Sequence, residues 1–363
     1  MPPQSPRLIL GVESSCDETA AAIVEGGLRV RSNVIASQHD LHAEYRGVVP
    51  EIASRAHAER LLPTIRKAVA DAGLRLADID AIAVSSRPGL IGALLVGVAG
   101  AKALALALDR PIIGVDHVHA HLYAGLLDPP ASSPPLNPDA TLPALGLVVS
   151  GGHTSIYLVE HWHAPVRLGA TIDDAIGEAY DKVGAILGLP FPGGPLVDRL
   201  AQRGRPDAHR FPISLPGPPH HDTLDFSFSG LKTAVLYAAV GVPARGRPPP
   251  SHASGLPDSA KADLCAAFQH AAVAAVTRRL RAAAALHPAA RTLLVGGGVS
   301  ANSHLRAELT KLAADLGLTL HLPAMPYCLD NAAMLAGLGH HLLAQRNWLG
   351  DPLTLTASPM TLL

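Results

Sequence analysis

Residues 115–124, VDHVHAHLYA, place three histidines, His117, His119 and His121, within five positions. His117 and His121 stand at i and i+4 and share one helical face, whereas His119 points elsewhere. Imidazole together with carboxylate oxygen suits zinc or iron(II), and two histidines with one carboxylate leave positions open for a substrate. The carboxylate must come from afar. Asp330, in the strand-to-helix turn of YCLDNAAMLAG, is the best-placed candidate, although Asp330 or Asn331 there equally suits a helix N-cap. A zincin protease needs Glu directly after the first histidine, and Val118 stands there. The S-x-x-K spacing of Ser229 to Lys232 lacks the S-D-N and K-T-G companions of a serine beta-lactamase.

Glycine-rich turns supply a second chemistry. SGGHT at 150–154, FPGGP at 191–195 and GGGVSAN at 296–302 follow or join apolar strands. Each can be a simple tight turn. Three together in one half of the chain point instead to a nucleotide site, because glycine lets backbone N–H groups approach phosphate, best where a helix begins. None is a G-x-G-x-x-G dinucleotide motif or a P-loop. Asp181, between Glu178 and Lys182 on a helical pattern, reads as part of a solvated face.

These residues must be held by folded elements, and the composition provides for them. The chain has 363 residues, 48% of them hydrophobic and 16% charged, which describes compact domains and favours two of them. A formal net charge of -1 gives no global attraction for a phosphate polymer, so a nucleic-acid partner must be held by local patches or other proteins. Cys16, Cys265 and Cys328 lie far apart and form no C-x-x-C pair, so neither a disulfide framework nor a zinc ribbon is suggested and a reducing cytoplasm fits. MPPQSPR lacks the apolar core of a signal peptide. Residues 90–108 approach the roughly 18 to 20 residues of a membrane span, but Lys102 interrupts them and the uninterrupted part has the length of a buried core helix.

One pattern occurs twice. RLILGVESSCDETAAAIVE and ALGLVVSGGHTSIYLVE each read strand, turn, strand; IDAIAVSSRPGLIGALLVGVAGAKAL and RTLLVGGGVSANSHLRAELTKLA each read strand, tight turn, helix. Two similar α/β lobes are expected, 7–127 and 144–363, with the last helices able to pack back on the first. A Pro-rich linker, 128–143, joins them, and 242–259 reads as a surface loop.

Read together, ESSCDETA, HAEYRGVVPEIASRAH, HVHAH, VSGGHT, GEAYDKVGAILGLPFPGGP, DFSFSGLKT, GGGVSAN and DNAAM resemble, in order, the motifs of the tRNA N6-adenosine threonylcarbamoyltransferase family, formerly called O-sialoglycoprotein endopeptidases. The resemblance implies the actin-like ATPase fold of sugar kinases and Hsp70, duplicated, with a cleft between the lobes. It implies an acyltransferase that moves threonylcarbamoyl from threonylcarbamoyl-AMP to N6 of adenosine 37 in tRNAs reading codons that begin with A. Through it, His117, His121 and Asp330 are assigned one divalent metal, iron(II) favoured over zinc. Val148, Val149, Ser150, Gly151, Gly152, Asp181, Gly194, Asp198 and Asn302 are assigned to the adenylate.

The resemblance further implies tRNA, a smaller paralogue of the same fold and a P-loop ATPase as partners, in the cytoplasm and without a membrane. His119 lies where the family varies and is a bystander. Glu13, Asp17 and Glu18 are acidic candidates for proton handling, with no choice among them. The family usually has T-x-G-P-G-L where residues 85–90 read SSRPGL, so that Arg87 replaces a glycine; either the turn differs locally or the arginine meets an anion. The rival readings are a small-molecule kinase of the same fold, which gives the histidine pair no role, and a non-catalytic nucleotide-binding scaffold.

Overall fold

Near-continuous apolar runs build the inner strands of the first sheet, as expected of strands covered on both faces. The computed structural model describes residues 8–45, 47–130, 136–213, 223–241, 253, 255–344 and 354–360. In chain order come β1 (Leu8–Glu13), β2 (Glu18–Glu25), β3 (Arg29–Ser37), the short α1 (His39–His42), α2 (Pro50–Asp71), β4 (Ala81–Arg87), α3 (Ile91–Leu108), β5 (Ile112–Asp116) and α4 (His117–Tyr123). The strand order is β3-β2-β1-β4-β5, with β1 antiparallel to β2 and parallel to β4, and β4 parallel to β5.

The second half repeats this plan. Its elements are β6 (Ala144–Val149), β7 (Thr154–Val159), β8 (Val166–Ala170), α5 (Ile176–Ile186), α6 (Gly193–Ala201), α7 (Ser229–Val240), α8 (Asp258–Leu286), β9 (Thr292–Gly296), α9 (Ser303–Leu316), β10 (Thr319–His321) and finally α10 (Ala332–Ala344). The sheet runs β8-β7-β6-β9-β10, strand for strand the order and sense of the first. Two compact units result: Met1–Ala140 with His161–Pro165 and Leu322–Leu363, and Thr141–Glu160 with Val166–His321. α10 therefore belongs to the first unit. Residues 131–135 and 242–252, within the expected linker and surface loop, lie outside the described residues. The end of the linker is not irregular: Pro138–Thr141 forms a 3-10 helix.

The alternation of β1 decides what covers it. Leu10 and Val12 join Leu61, Ile65 and Ala68 of α2 and Val98 and Ala101 of α3 in one core. Gly11 faces α10, so closely that a Cβ there would collide with the Ala332 carbonyl oxygen. A glycine inside a strand often marks such an approach. Because Glu13 lies two residues beyond Gly11 and Asp330 two residues before Ala332, this contact sets the distance between their parent elements.

α3 departs from the expected buried core helix. Ala93, Leu94, Gly97, Val98, Ala101 and Ala105 are buried, but Ile91, Leu95 and Leu106 are 46%, 53% and 57% exposed. Uniform hydropathy cannot reveal which face is covered. Among the described residues this is the one helix long and apolar enough to cross a membrane.

Gly11→Val should push α10 off β1. We expect a loss of about 1–3 kcal/mol in urea unfolding, the usual cost of overpacking, with helix content retained by far-UV circular dichroism.

Candidate functional site

β5 ends at Asp116, whose carboxylate caps the next helix by accepting from Val118 N at 3.0 Å and His119 N at 3.1 Å. The cap starts α4 immediately, so His117 occupies its first position and His121 lies one turn later. The rings meet edge to face, 4.8 Å apart and both buried. Asp330 precedes α10. Asn331, and not Asp330, performs the capping: its Oδ1 accepts Met334 N at 3.0 Å while its Nδ2 donates to Leu329 O at 2.8 Å. Asp330 is thereby released toward the histidines, with Oδ1 3.1 Å from His121 Nε2 and 3.5 Å from His117 Nε2.

The ligand atoms of His117, His121 and Asp330 lie within 4.8 Å of one another, and the group could hold a metal ion. The separations suit one: ligands about 2.0–2.2 Å from a tetrahedral ion stand roughly 3.4 Å apart. His117 is also gripped from behind. Its Nδ1 lies 2.7 Å from Glu13 Oε2 and 3.1 Å from Ser15 Oγ. Glu13 is fully buried, and its other oxygen accepts Ser15 N at 2.6 Å. A carboxylate on Nδ1 keeps the proton there and turns the Nε2 lone pair outward, the usual support of a metal-ligating histidine. His121 differs: among the described residues, its buried Nδ1 has no hydrogen-bond partner.

Without an ion, charge settles on this triangle. Burial opposes the charge of each group, but Glu13 and Asp330 on either side lift the His117 imidazolium well above the ordinary histidine value. Burial would likewise raise the Asp330 carboxyl, yet His117 and His121 hold it well below the usual range. Glu13 is lowered in the same way, the charge and hydrogen bond of His117 outweighing burial. A cation bound at Nε2 must displace a proton.

The first turn places its other acids differently. Glu18 opens β2 and accepts Ser37 Oγ at 2.9 Å. Burial, then the charges of Asp17 and Asp330, push its carboxyl up to about 8. Burial lowers the His119 imidazole, and Arg87 adds to this against the opposing charge of Asp116. Arg87 ends β4 in register with Asp116 and does not adopt a left-handed backbone, so the missing glycine costs nothing there. The glycine that matters is Gly89: a Cβ on it would lie 2.5 Å from Ser15 O, which accepts Leu90 N at 2.8 Å.

In the second unit the glycine turns assemble around the end of β6. A Cβ on Gly177 would lie 2.5 Å from Ser150 O, so the start of α5 sits against the 150–153 turn; Gly151 and Gly152 face open space. Val148 and Val149 are buried strand residues behind that turn. Gly297, at φ 94°, backs onto the carbonyl of Val149. Asp181 is no solvated-face residue: its Oδ1 accepts Gly194 N at 3.0 Å, tying α5 to the FPGGP turn. Asp198 accepts Ser303 Oγ at 2.8 Å and Ser303 N at 3.1 Å. Asn302 caps α9 by accepting Leu305 N at 2.9 Å and donates to Gln269 Oε1 at 2.7 Å. Ser229 and Lys232 bind Asp173 and Asp174, respectively, instead of each other, which gives SGLK a structural role.

The sequence profile of the TsaD family, tRNA N6-adenosine threonylcarbamoyltransferase, matches residues 29–337. The chain belongs to that family. A relative from Trichlorobacter lovleyi bearing the same name is 49% identical over 338 residues, 93% of this chain and 92% of its own length. Another from Moorella thermoacetica is 48% identical over 354 residues, 97% and 96% of the two chains. T. kodakarensis HypF superposes with a TM-score of 0.60 at 14% identity over 94% of this chain and 48% of its own. With the twice-used sheet order, that likeness establishes the actin-like ATPase fold.

Sequence reasoning did not find Glu13 and Ser15 as supports of His117; the signal available was an acidic turn after a strand. Glu13→Gln should weaken zinc binding about 10–100-fold, the usual effect of losing an outer-shell partner, in calorimetric titration. Since binding discharges a proton from His117, affinity should rise with pH, and proton release should appear as a dependence of the heat on buffer ionisation enthalpy.

Proposed function

We propose that the chain transfers threonylcarbamoyl from threonylcarbamoyl-AMP to N6 of adenosine 37 in tRNAs reading codons that begin with A. The N6–C bond forms, the bond from the carbamoyl carbon to the phosphate oxygen breaks, AMP leaves, and one proton departs from N6. Family membership over nearly the whole chain supports the reaction; the single structural observation that carries the mechanism is the His117–His121–Asp330 cluster with Glu13 behind it.

The exocyclic amine is a weak nucleophile and the mixed anhydride an activated donor, so the protein must chiefly align the two and stabilise charge. Iron(II) is favoured at the three ligands and zinc suits the same donors. A bound ion would supply Lewis acidity and a template for the threonylcarbamoyl group. Glu13 and Ser15 orient His117. The open backbone of Gly151 and Gly152, beside the start of α5, suits the adenylate phosphate, with Val148, Val149 and Ser150 shaping the turn. Asp181 and Asp198 set the positions of Gly194 and of the α9 start, and Asn302 caps that helix.

With both Glu13 oxygens occupied, Glu18 is the acid best suited to take the N6 proton. Its carboxyl is pushed up to about 8, so the ionised form that can accept a proton grows as pH rises toward that value. Asp17 beside it contributes to that elevation. As the ionised form is required, kcat/KM should fall as pH drops through the Glu18 value, and Glu18→Gln should lower the rate and abolish that limb.

A cytoplasmic setting and shared tRNA contacts fit a chain of formal charge -1 acting on a polyanion. A smaller paralogue of the same fold and a P-loop ATPase are the proposed partners.

The decisive experiment is mass spectrometry of adenosine 37 in tRNA incubated with this protein, its partners and threonylcarbamoyl-AMP. His117→Ala and Asp330→Ala should abolish the product while remaining folded. Unchanged transfer by either would remove the metal from the mechanism.

A further inference from the structure

The motif HAEYRGVVPEIASRAH, whose first and last residues are His42 and His57, contributes nothing to the sites above, yet both histidines are buried polar groups in the first unit. His57 and Gln38 are fully buried, as is Thr19, and His42 is 1% exposed. They form one chain of hydrogen bonds. Val49 N lies 3.3 Å from His42 Nδ1, His42 Nε2 3.4 Å from Gln38 Oε1, Gln38 Nε2 3.4 Å from Thr19 Oγ1, Thr19 Oγ1 2.8 Å from His57 Nδ1, and His57 Nε2 2.9 Å from Cys16 O.

Both ends have fixed polarity. Val49 N–H can only donate, so His42 Nδ1 accepts and His42 Nε2–H donates onward. Cys16 C=O can only accept, so His57 Nε2–H donates to it and His57 Nδ1 accepts from the Thr19 hydroxyl. Gln38 joins the halves, its carbonyl taking from His42 and its amide giving to Thr19. Every link points toward Cys16, and the acceptor role of His57 Nδ1 requires neutral imidazole, the form that burial favours there.

Cys16 belongs to the turn that carries Glu13 and Ser15 against His117. Three successive carbonyls of that turn are held by different elements: Ser15 O by Leu90 N at 2.8 Å, Cys16 O by His57, and Asp17 O by Gln38 N at 3.0 Å. We propose that His57, backed by Thr19, Gln38 and His42, is a positioning residue whose grip on Cys16 keeps the turn closed on His117 and thereby tunes affinity for the ion. This rests on the metal reading of the His–His–Asp cluster.

The test is zinc titration of the full-length protein, with thermal unfolding alongside. His57→Phe keeps the ring volume and removes both bonds; the zinc dissociation constant should rise about tenfold. His57→Gln, which retains a donor for Cys16 O, should restore most of that loss, a recovery that mere packing would not produce. Should His57→Phe fail to fold, Thr19→Val breaks the same chain one link earlier and should weaken zinc binding in the same direction. Folded variants with wild-type affinity, or a glutamine no better than phenylalanine, would overturn the proposal alone. Wild-type protein that takes up no zinc would overturn the metal reading as well.

Discussion

The contact on which the first unit's chemistry depends is the buried pair Glu13–His117, 2.7 Å long. An unpaired carboxylate in that position would be strongly disfavoured, and a histidine without it would be free to present either nitrogen. Together they define which imidazole nitrogen faces Asp330. Two carboxylates flanking one ring leave a position that wants positive charge, supplied by a proton or by a metal ion. Sheet order explains why the pair can form. β1 and β5 flank β4, all three parallel, so the ends of β1 and β5 open on the same edge, and residues 104 apart in sequence become neighbours. Catalytic and ligand groups commonly gather at that edge of parallel strands.

The repeated strand order gives the second unit the same edge with a different turn. The turn after β1 is acidic and holds an imidazole; the corresponding turn after β6 is Ser-Gly-Gly-His and exposes backbone. In both, the turn from the fourth strand of the unit brings a glycine against the first: Gly89 against Ser15 O, Gly297 against the Val149 carbonyl. One architectural solution serves both units, with an acidic turn in the first and a backbone-exposing glycine turn in the second.

Much of this was legible from residue types. Alternating apolar strands with intervening turns foretold two similar α/β units, and the i, i+4 histidines foretold one shared face. The partner of His117 was not legible, because nothing local in ESSCDE says that its strand ends beside β5. Asp330 and Asn331 were equivalent as cap candidates until backbone geometry assigned the cap to Asn331. Asp181 looked solvated because periodicity reports a helix face, not the turn packed against it. α3 looked buried because hydropathy does not say which side is covered. Gly11 and Gly89 stand against other backbones, and no residue type nearby distinguished them from the other glycines.

The most direct measurement of the central claim is anomalous diffraction at the iron and zinc absorption edges from crystals of the protein. The account predicts one peak bounded by His117 Nε2, His121 Nε2 and the Asp330 carboxylate, with Glu13 still on His117 Nδ1. Metal-replete crystals with no anomalous density at that triangle, and the Asp330 carboxylate hydrogen-bonded directly to both rings, would contradict it.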